Sequence, residues 1–306
     1  MTARVSVIIA SRNNCESLSR TLDCLISQAK EEEVEIVVVD NGSTDGTRSM
    51  CARRSGAIEY MFVGEPGQAH AQNVALESTT SEIVLLTDDD TLPRADWVKE
   101  LSRPLLDGSA DAVVGPVLIA SDLRATLSRE ERERFYEMPT RPATFDSSPY
   151  LIGCNMGFHR RVLGKVAGFD PALGPGRLGM QGDTLFCQQV LEAGYRVSFV
   201  EKAVVEHAID VRRLARDSLL REARVHARST AYVRHHWGHD DSLFDVVRLL
   251  KNAYLLAAYR VRRNRADVGR GIDQREEDLV YRTALYSAAL RLRATRRRYE
   301  RRGPRR

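Results

Sequence analysis

Three consecutive carboxylates, Asp88, Asp89 and Asp90, follow directly after the apolar run 83–86 and Thr87. The apolar run is typical of a buried strand, so the carboxylates stand at its C-terminal end. Because like charges repel, such a cluster needs a positive partner. We expect a hard divalent cation, since Mg²⁺ usually binds through one or two carboxylates together with substrate phosphate oxygens. The alternative is a solvated acidic turn before Pro93.

Polar side chains also close two other predicted strands. Ser11 and Arg12 follow the apolar run 5–10, and Asp40 ends the apolar run 35–40. Three polar groups at strand ends are harder to explain as solvated loops than any one of them alone. They therefore predict a shared site.

Strands and helices alternate in the N-terminal half. Helical spacing of apolar residues appears at 17–27 and at 67–78, and further strands are predicted at 58–63 and 83–87. This alternation indicates an α/β fold with a doubly wound, mostly parallel sheet. In such sheets ligands bind beyond the carboxyl ends of the strands, where the polar groups described above are expected to converge.

The second half of the chain has a different pattern. A strand is predicted over 112–119, mixed strand and turn over 150–158, a helix over 183–193, and a strand at 196–200 that extends to 204–207. The charged segment 121–148 reads as an excursion from the core. Beyond residue 211 we expect long basic helices.

Charge is distributed unequally along the chain. Residues 211–306 contain 25 Lys and Arg against 11 Asp and Glu, a net of +14, whereas the remaining residues have a net of −10 and the whole chain +4. We therefore predict two regions, an α/β domain at 1–210 and a basic α-helical region at 211–306. The second region is expected to cover one side of the first, to dimerise or to make peripheral contacts.

Composition limits the class of protein and its location. The chain is 43% hydrophobic and 29% charged, as in soluble globular proteins. Its apolar runs are shorter than the roughly 18 residues needed to span a bilayer, and the N-terminus lacks the features of a signal peptide. The five scattered cysteines, without CxxC spacing, argue against a zinc site or a disulfide framework. We expect a cytoplasmic protein, with peripheral membrane contact left open.

Taken together, the motifs resemble those of the family-2 glycosyltransferases, which use nucleotide-diphosphate sugars on a GT-A fold. The resemblance covers roughly residues 4–208 and implies a Rossmann-like, mostly parallel central sheet flanked by helices, followed by a C-terminal helical extension. Six segments carry it in the right order: 7–13, 36–47, 67–73, the DXD-type carboxylates 88–90, 153–161 with 168–170, and 182–183.

The resemblance implies that most candidate residues bind the nucleotide-sugar donor. The expected donor-binding residues are Ala10, Ser11, Arg12, Asp40, Asn73, Asp88, Asp89 and Asn155. Ala10 to Arg12 and Asp40 would contact the uracil and ribose, with an Asx turn as the alternative role of Asp40. Asp88 would lie near the ribose, and Asn155 would form part of the acceptor or donor-sugar floor.

The resemblance also implies the metal ligands and the base. Asp90 would bind Mn²⁺ or Mg²⁺ on the diphosphate, and His207 would be an additional ligand unless its role is structural. Asp183 occupies the catalytic-base position, with a helix N-cap as the alternative. The family's usual Glu-Asp pair is Gly182-Asp183 here, which removes a like charge that would raise the pKa of the base. Gln72 stands where many members have Arg, so charge compensation at the diphosphate falls more heavily on the metal.

The expected activity is inverting, metal-dependent transfer of a hexose of the glucose or N-acetylglucosamine type from a UDP-sugar to a hydroxyl or amine. Acceptors include a glycan, a lipid-linked sugar or a small metabolite, free or bound to a carrier protein. A nonenzymatic nucleotide-sugar-binding scaffold with a basic tail stays open, as does a sugar nucleotidyltransferase, although 11–14 is not the Gly-rich basic loop that the latter needs. No specific nucleic-acid partner is expected, because only a few Tyr follow Trp237.

The basic C-terminal region contains an apolar stripe, 249–250 and 254–259, flanked by Arg. Such a stripe lies on an anionic membrane, packs on the core or forms a homodimer interface. Packing or dimerisation is favoured because the apolar stretch is short. His235, His236 and Trp237 are expected either to pack in the interior or to touch substrate.

Overall fold

A computed structural model describes residues 3–29, 33–134, 150–262 and 274–300 of the chain. The chain divides into two compact units. The first comprises residues 1–177 and 182–209, and the second comprises 178–181 and 210–306. All the candidate donor, metal and base residues belong to the first unit, and the basic helices belong to the second.

A seven-stranded sheet forms the centre of the first unit, beside a second sheet of three strands. In chain order the strands are β1 (Val5–Ser11), β2 (Val34–Asp40), β3 (Glu59–Phe62), β4 (Ile83–Thr87), β5 (Thr91–Pro93), β6 (Ala112–Val114), β7 (Val117–Ile119), β8 (Asn155–His159), β9 (Val197–Phe199) and β10 (Val205–His207). The large sheet has the order β3-β2-β1-β4-β8-β6-β9. Its first four strands are parallel, and β8 runs antiparallel to both β4 and β6. The expected mostly parallel central sheet is confirmed.

Among the described residues, seven α-helices belong to the first unit, and all except α5 and α6 bury apolar side chains. They are α1 (Cys15–Ala29), α2 (Thr47–Ala52), α3 (Gln68–Ser78), α4 (Trp97–Leu106), α5 (Ser121–Arg124), α6 (Arg129–Arg134) and α7 (Gly182–Glu192). In α1 the residues Leu18, Leu22 and Leu25 recur at helical spacing and are completely buried. Of the charged excursion predicted at 121–148, α5 and α6 belong to the described residues, and 135–149 lie outside them.

The single strand predicted at 112–119 is wrong. Residues 112–114 form β6 in the large sheet, whereas 117–119 form β7 in the small sheet, beside β10. Gly115 and Pro116 separate them. A Cβ at Gly115 would lie 2.0 Å from the carbonyl oxygen of Ala203, so only glycine allows this close approach. Because Pro116 has no N–H to donate, a strand could not continue through it without losing a ladder bond.

Three long helices form most of the second unit: α8 (Arg216–His236), α9 (Asp245–Arg262) and α10 (Gln274–Leu292). Small residues let α8 and α10 approach closely, with Ala227 and Ala231 packed against Leu285 and Ala289. No described helix is both long enough and apolar enough to cross a bilayer.

Candidate active site

The carboxyl ends of β1, β2 and β4 lie side by side at one edge of the large sheet. Ser11, the last residue of β1, is in register with Asp40, the last residue of β2. β4 is parallel to β1 on its other side, so Asp88 emerges at the same edge. The structure therefore brings together the polar groups that the sequence analysis placed at strand ends.

Asp89 fastens the acidic segment to the end of β1. Its Oδ2 accepts a 2.5 Å hydrogen bond from Ser11 Oγ, and its Oδ1 accepts one of 2.9 Å from Asn14 Nδ2. Burial raises the pKa of Asp89 to about 6, although these hydrogen bonds lower it. Asp89 thus positions the two carboxylates on either side of it.

Asp88 is held from the other side by α3. Gln68 Nε2 donates a 3.0 Å hydrogen bond to Asp88 Oδ1. Burial, followed by the charges of Asp90, Asp89 and Asp183, raises the pKa of Asp88 to about 7, against the opposing effect of His207. A buried carboxylate among others of the same sign is the electrostatic setting that a cation relieves.

Asp90 faces His207, because β10 pairs antiparallel with the short strand β5 that follows the acidic segment. His207 is in register with Thr91, and its Nε2 lies 3.1 Å from Asp90 Oδ1. The backbone N–H of Ala208 donates a 2.8 Å hydrogen bond to the Asp90 carbonyl oxygen. Both side chains are therefore held in place by the small sheet.

Asp183 lies in the first turn of α7 and is oriented by two backbone donors. Gly153 N–H donates to its Oδ2 at 3.0 Å, and Thr184 N–H donates to its Oδ1 at 2.7 Å. Burial raises the pKa of Asp183, and these hydrogen bonds oppose that rise. The neighbouring position 182 is glycine, so the higher pKa comes from burial and not from an adjacent acidic residue.

Cys154 lies between the acidic segment and Asp183, because its carbonyl oxygen accepts a 2.9 Å hydrogen bond from Thr87 Oγ1 and the preceding Gly153 N–H binds Asp183. Cys154 is buried, and its pKa is raised first by burial and then by the charges of Asp88, Asp90 and Asp183. The acidic segment and the first turn of α7 are therefore neighbours in space.

Asp40 is buried and accepts two hydrogen bonds. Ser43 N–H donates to Oδ1 and the Tyr60 hydroxyl donates to Oδ2, each at 2.7 Å. Since a carboxylate oxygen has two acceptor sites, each oxygen retains one for a ligand. Beside it on β1 and the following turn, Ala10 is half-buried and Arg12 is exposed.

The amides of Asn73 and Asn155 bind groups within the protein. Asn73 binds the backbone N–H and C=O of Phe169. Asn155 is 0% exposed; it donates to the carbonyl oxygens of Pro116 and Ala203 and accepts from Trp97 Nε1, all at 2.8 Å. The expectation that Asn155 contacts donor sugar or acceptor therefore needs correction. Its side chain instead connects β8 to Trp97, Pro116 and Ala203 inside the protein.

Five supporting residues were not among the predicted site residues, although three of them lie in segments that carry the family resemblance: Asn14, Asn41, Tyr60, Gln68 and Gly153. Asn41 Oδ1 accepts from Gly67 N–H at 2.7 Å, which fixes the start of α3 and with it Gln68. The polar cluster 41–47 and the Gly67-Gln68 pair were visible as turn signals. Their partners were not, because these contacts join residues far apart in the sequence.

The arrangement could hold a divalent cation through two protein ligands. Among the described residues, no three His, Cys, Asp or Glu side chains come together as a complete metal site. Two ligands of one octahedral ion, each about 2.1 Å from it, lie about 3 Å apart, which matches the Asp90–His207 separation of 3.1 Å. The pair therefore suits an ion whose other ligands belong to a substrate diphosphate.

Comparison with known proteins decides the family. Residues 6–167, more than half of the chain, match the sequence pattern of glycosyl transferase family 2. The chain belongs to this family. Membership of this family disfavours both the nonenzymatic scaffold and the nucleotidyltransferase.

Curated relatives of this family-2 glycosyltransferase include an archaeal and a bacterial enzyme. Glycosyltransferase AglE of Haloferax volcanii is 25% identical over 208 residues, covering 66% of this chain and 66% of that protein. An N-acetylglucosaminyltransferase of Azorhizobium caulinodans is 27% identical over 218 residues, covering 67% and 54%. The chain thus spans less than two thirds of the length of these relatives.

Solved structures share the fold of this family-2 glycosyltransferase. Mannosyltransferase PcManGT of Pyrobaculum calidifontis, in complex with GDP-Man and Mn²⁺, matches with a TM-score of 0.58 and 20% identity over 95% of this chain and 87% of that one. A glucosyl-3-phosphoglycerate synthase of Mycobacterium tuberculosis, with Mn²⁺, UDP-Glc and glycerol 3-phosphate, matches with a TM-score of 0.51 and 22% identity over 76% and 79%. These similarities confirm the GT-A fold.

Proposed function

We propose that this glycosyltransferase moves a hexose from a UDP-sugar to a hydroxyl or amine acceptor with inversion, using a divalent cation and Asp183 as general base. The observation that supports this most strongly is that residues 153–154 connect the two groups of carboxylates: Thr87, next to Asp88, donates a 2.9 Å hydrogen bond to the Cys154 carbonyl oxygen, and Gly153 N–H donates one of 3.0 Å to Asp183. Asp88 and Asp90 would serve the nucleotide and the cation, and Asp183 would be available for the acceptor proton.

The nucleoside end of the donor would lie against the ends of β1 and β2. Asp40, with one free acceptor site on each oxygen, would bind a base N–H or a ribose hydroxyl. Ala10, Ser11 and Arg12 would line the same edge, with Asp88 near the ribose. Asp89 would act by holding Ser11, and Asn73 by tying α3 to the backbone of Phe169.

Asp90 and His207 would hold the Mn²⁺ or Mg²⁺ that accompanies the diphosphate. When bound, such an ion stabilises the negative charge that develops on the departing nucleoside diphosphate. A cation at this position is consistent with the negative charge of four neighbouring residues, Asp88, Asp89, Asp90 and Asp183. Gln72 is neutral, so it contributes no charge to this task.

Asp183 would accept the proton of the attacking acceptor group. As the acceptor oxygen or nitrogen bonds to the anomeric carbon, the bond from that carbon to the diphosphate breaks, and the proton passes to Asp183. A single displacement of this kind inverts the anomeric configuration. Gly153 and Thr184 hold the carboxylate in one orientation, and its raised pKa makes it a stronger base than an exposed aspartate.

Glucose and N-acetylglucosamine are the proposed donor sugars, and a glycan, lipid-linked sugar or small metabolite is the proposed acceptor. The relatives named above include an N-acetylglucosaminyltransferase and an enzyme solved with UDP-Glc. Since another was solved with GDP-Man, the base and sugar need a direct test.

A donor panel tests the proposal. The thermal midpoint is measured with UDP-Glc, UDP-GlcNAc and GDP-Man, each with Mn²⁺ and with EDTA, and nucleoside diphosphate release is then followed for the donors that bind. We expect a UDP-sugar with Mn²⁺ to stabilise the protein, by about 2.7 kcal/mol at a ligand concentration 100 times Kd. Stabilisation by GDP-Man alone would contradict the uridine assignment, and equal stabilisation in EDTA would contradict the metal.

A further inference from the structure

The helix α9 presents an apolar stripe to solvent. Leu243, Val247, Leu250, Tyr254 and Val261 are 85%, 63%, 66%, 72% and 86% exposed. The first of these lies just before the helix, and the others follow it at positions +4, +7, +11 and +18. This is the spacing of one helix face. We refer to these five residues as the α9 stripe.

Buried polar contacts fix which face of α9 points outward. Asp245 is buried and lies 3.7 Å from Nη2 of Arg293, which follows α10. Arg260 Nε lies 3.4 Å from the fully buried Glu276. Rotating α9 to bury the stripe would break these contacts and expose the buried carboxylates. The stripe is therefore held outward by the packing of the second unit itself.

Cations border the α9 stripe on both sides. At about 100° per residue, Lys251 and Arg262 lie beside the stripe on one side, and Arg260 lies beside it on the other. Lys251 and Arg262 are exposed, and neither has an acidic partner among the described residues. The helix has a single acidic residue, Asp245, and that residue is buried. The exposed surface of α9 thus combines apolar and positive groups.

We propose that the α9 stripe lies on the surface of an anionic lipid bilayer. Large apolar side chains enter the boundary between headgroups and acyl chains, while flanking Lys and Arg bind the acidic headgroups. With 18 residues, the helix would lie in the membrane plane over about 27 Å. A second copy of the chain fits less well, because pairing two α9 stripes would place the bordering cations of both copies together. The favoured packing or dimerisation of the segment 249–250 and 254–259 is replaced for Leu250 and Tyr254, whereas Leu255 and Leu256 are half-buried.

Vesicle binding tests the proposal without donor or acceptor, so its outcome is independent of the proposed glycosyl transfer. The full chain is floated with phosphatidylcholine vesicles that contain or lack phosphatidylglycerol. We expect binding only to the anionic vesicles, and loss of binding in Val247→Glu/Leu250→Glu. Lys251→Glu/Arg262→Glu should bind at least about 30-fold more weakly at low salt, since each cation near the surface contributes about a factor of 5. Raising the salt from about 0.1 M to about 1 M should remove most of that difference.

A charge-matched control separates local binding from net charge. Arg20→Glu/Lys99→Glu changes the exposed surface of the first unit by the same charge and should bind normally. All six substituted residues are exposed, so the variants should keep their thermal midpoints. Failure of the unmodified chain to bind anionic vesicles would overturn the proposal. An equal loss in the control would also overturn it, as would a concentration-dependent dimer that Val247→Glu/Leu250→Glu dissociates while vesicle binding is unaffected.

Discussion

His207 Nε2 lies 3.1 Å from Asp90 Oδ1, at the point where the small sheet meets the acidic segment after β4. Neither residue could reach the other without the antiparallel pairing of β10 with β5, which places His207 opposite Thr91. The small sheet therefore positions a nitrogen donor beside a carboxylate. This pairing motivates the first prediction.

Replacing His207 should weaken metal binding more than it changes the fold. We expect His207→Ala to raise the Mn²⁺ concentration needed for half-maximal thermal shift with UDP by about tenfold or more, because losing an imidazole partner of a ligating carboxylate has effects of that order. His159→Ala is the matched control, since His159 Nε2 lies 3.0 Å from Glu82 Oε1 and is similarly buried. Equal effects in the two variants would remove His207 from the ligand set.

Activity should fall on acidification with a midpoint above the ordinary aspartate pKa of about 4. Burial raises the pKa of Asp183, so this base becomes protonated, and inactive, at a higher pH than an exposed aspartate would. The measurement is kcat/KM for the acceptor against pH at saturating donor and Mn²⁺. A profile that stays flat down to pH about 4 would contradict the assignment.

The same shift predicts how Asp183 affects stability. Because its folded-state pKa lies above its unfolded value, the folded state binds the proton more tightly, and the contribution of Asp183 to stability falls as pH rises through the interval between the two values. In denaturant unfolding of the metal-free protein, the free energy of unfolding should fall less with rising pH in Asp183→Asn than in the unmodified chain. An identical pH dependence in the two proteins would mean that Asp183 titrates normally.

Asn155 should matter for stability and not for donor contact. Asn155→Ala leaves the Ala203 carbonyl oxygen and the Trp97 N–H without their partner, whereas the Pro116 carbonyl oxygen keeps its bond from Val205 N–H. At about 1–3 kcal/mol for each of the two unsatisfied buried groups, we expect a loss of about 2 kcal/mol or more. Donor affinity of the folded variant, measured by calorimetry below its thermal midpoint, should stay within about twofold. A large loss of affinity in a protein of normal stability would restore Asn155 to the donor site.

The sequence predicted well those elements whose formation depends on local pattern. β1, β2 and β4 are continuous apolar runs buried in a parallel sheet, and their ends could be read directly. The polar cluster at those ends followed from the geometry of parallel sheets alone. The break at Gly115 and Pro116 was missed because the apolar pattern continues on both sides of it, although a Gly-Pro pair is itself a turn signal. Only the close approach of the Ala203 carbonyl oxygen to Gly115 was hidden from the sequence.

Roles that depend on distant partners were not predictable in the same way. Asn155 has the composition of a ligand-binding residue, and only the positions of Trp97 and Ala203 show that its amide is already satisfied. In the same way, the exposure of the α9 stripe depends on how Asp245 and Glu276 are buried, which no periodicity in the sequence reveals.

The general-base role of Asp183 is the central claim, and a single comparison tests it most directly. Nucleoside diphosphate release in the presence of acceptor and donor dissociation constants are measured for Asp183→Asn and for Asp96→Asn, an exposed aspartate whose side chain makes no cap hydrogen bond. We predict that Asp183→Asn lowers turnover by about 10²–10⁴-fold with nearly unchanged donor affinity, whereas Asp96→Asn behaves normally. Near-normal turnover in Asp183→Asn would contradict the account.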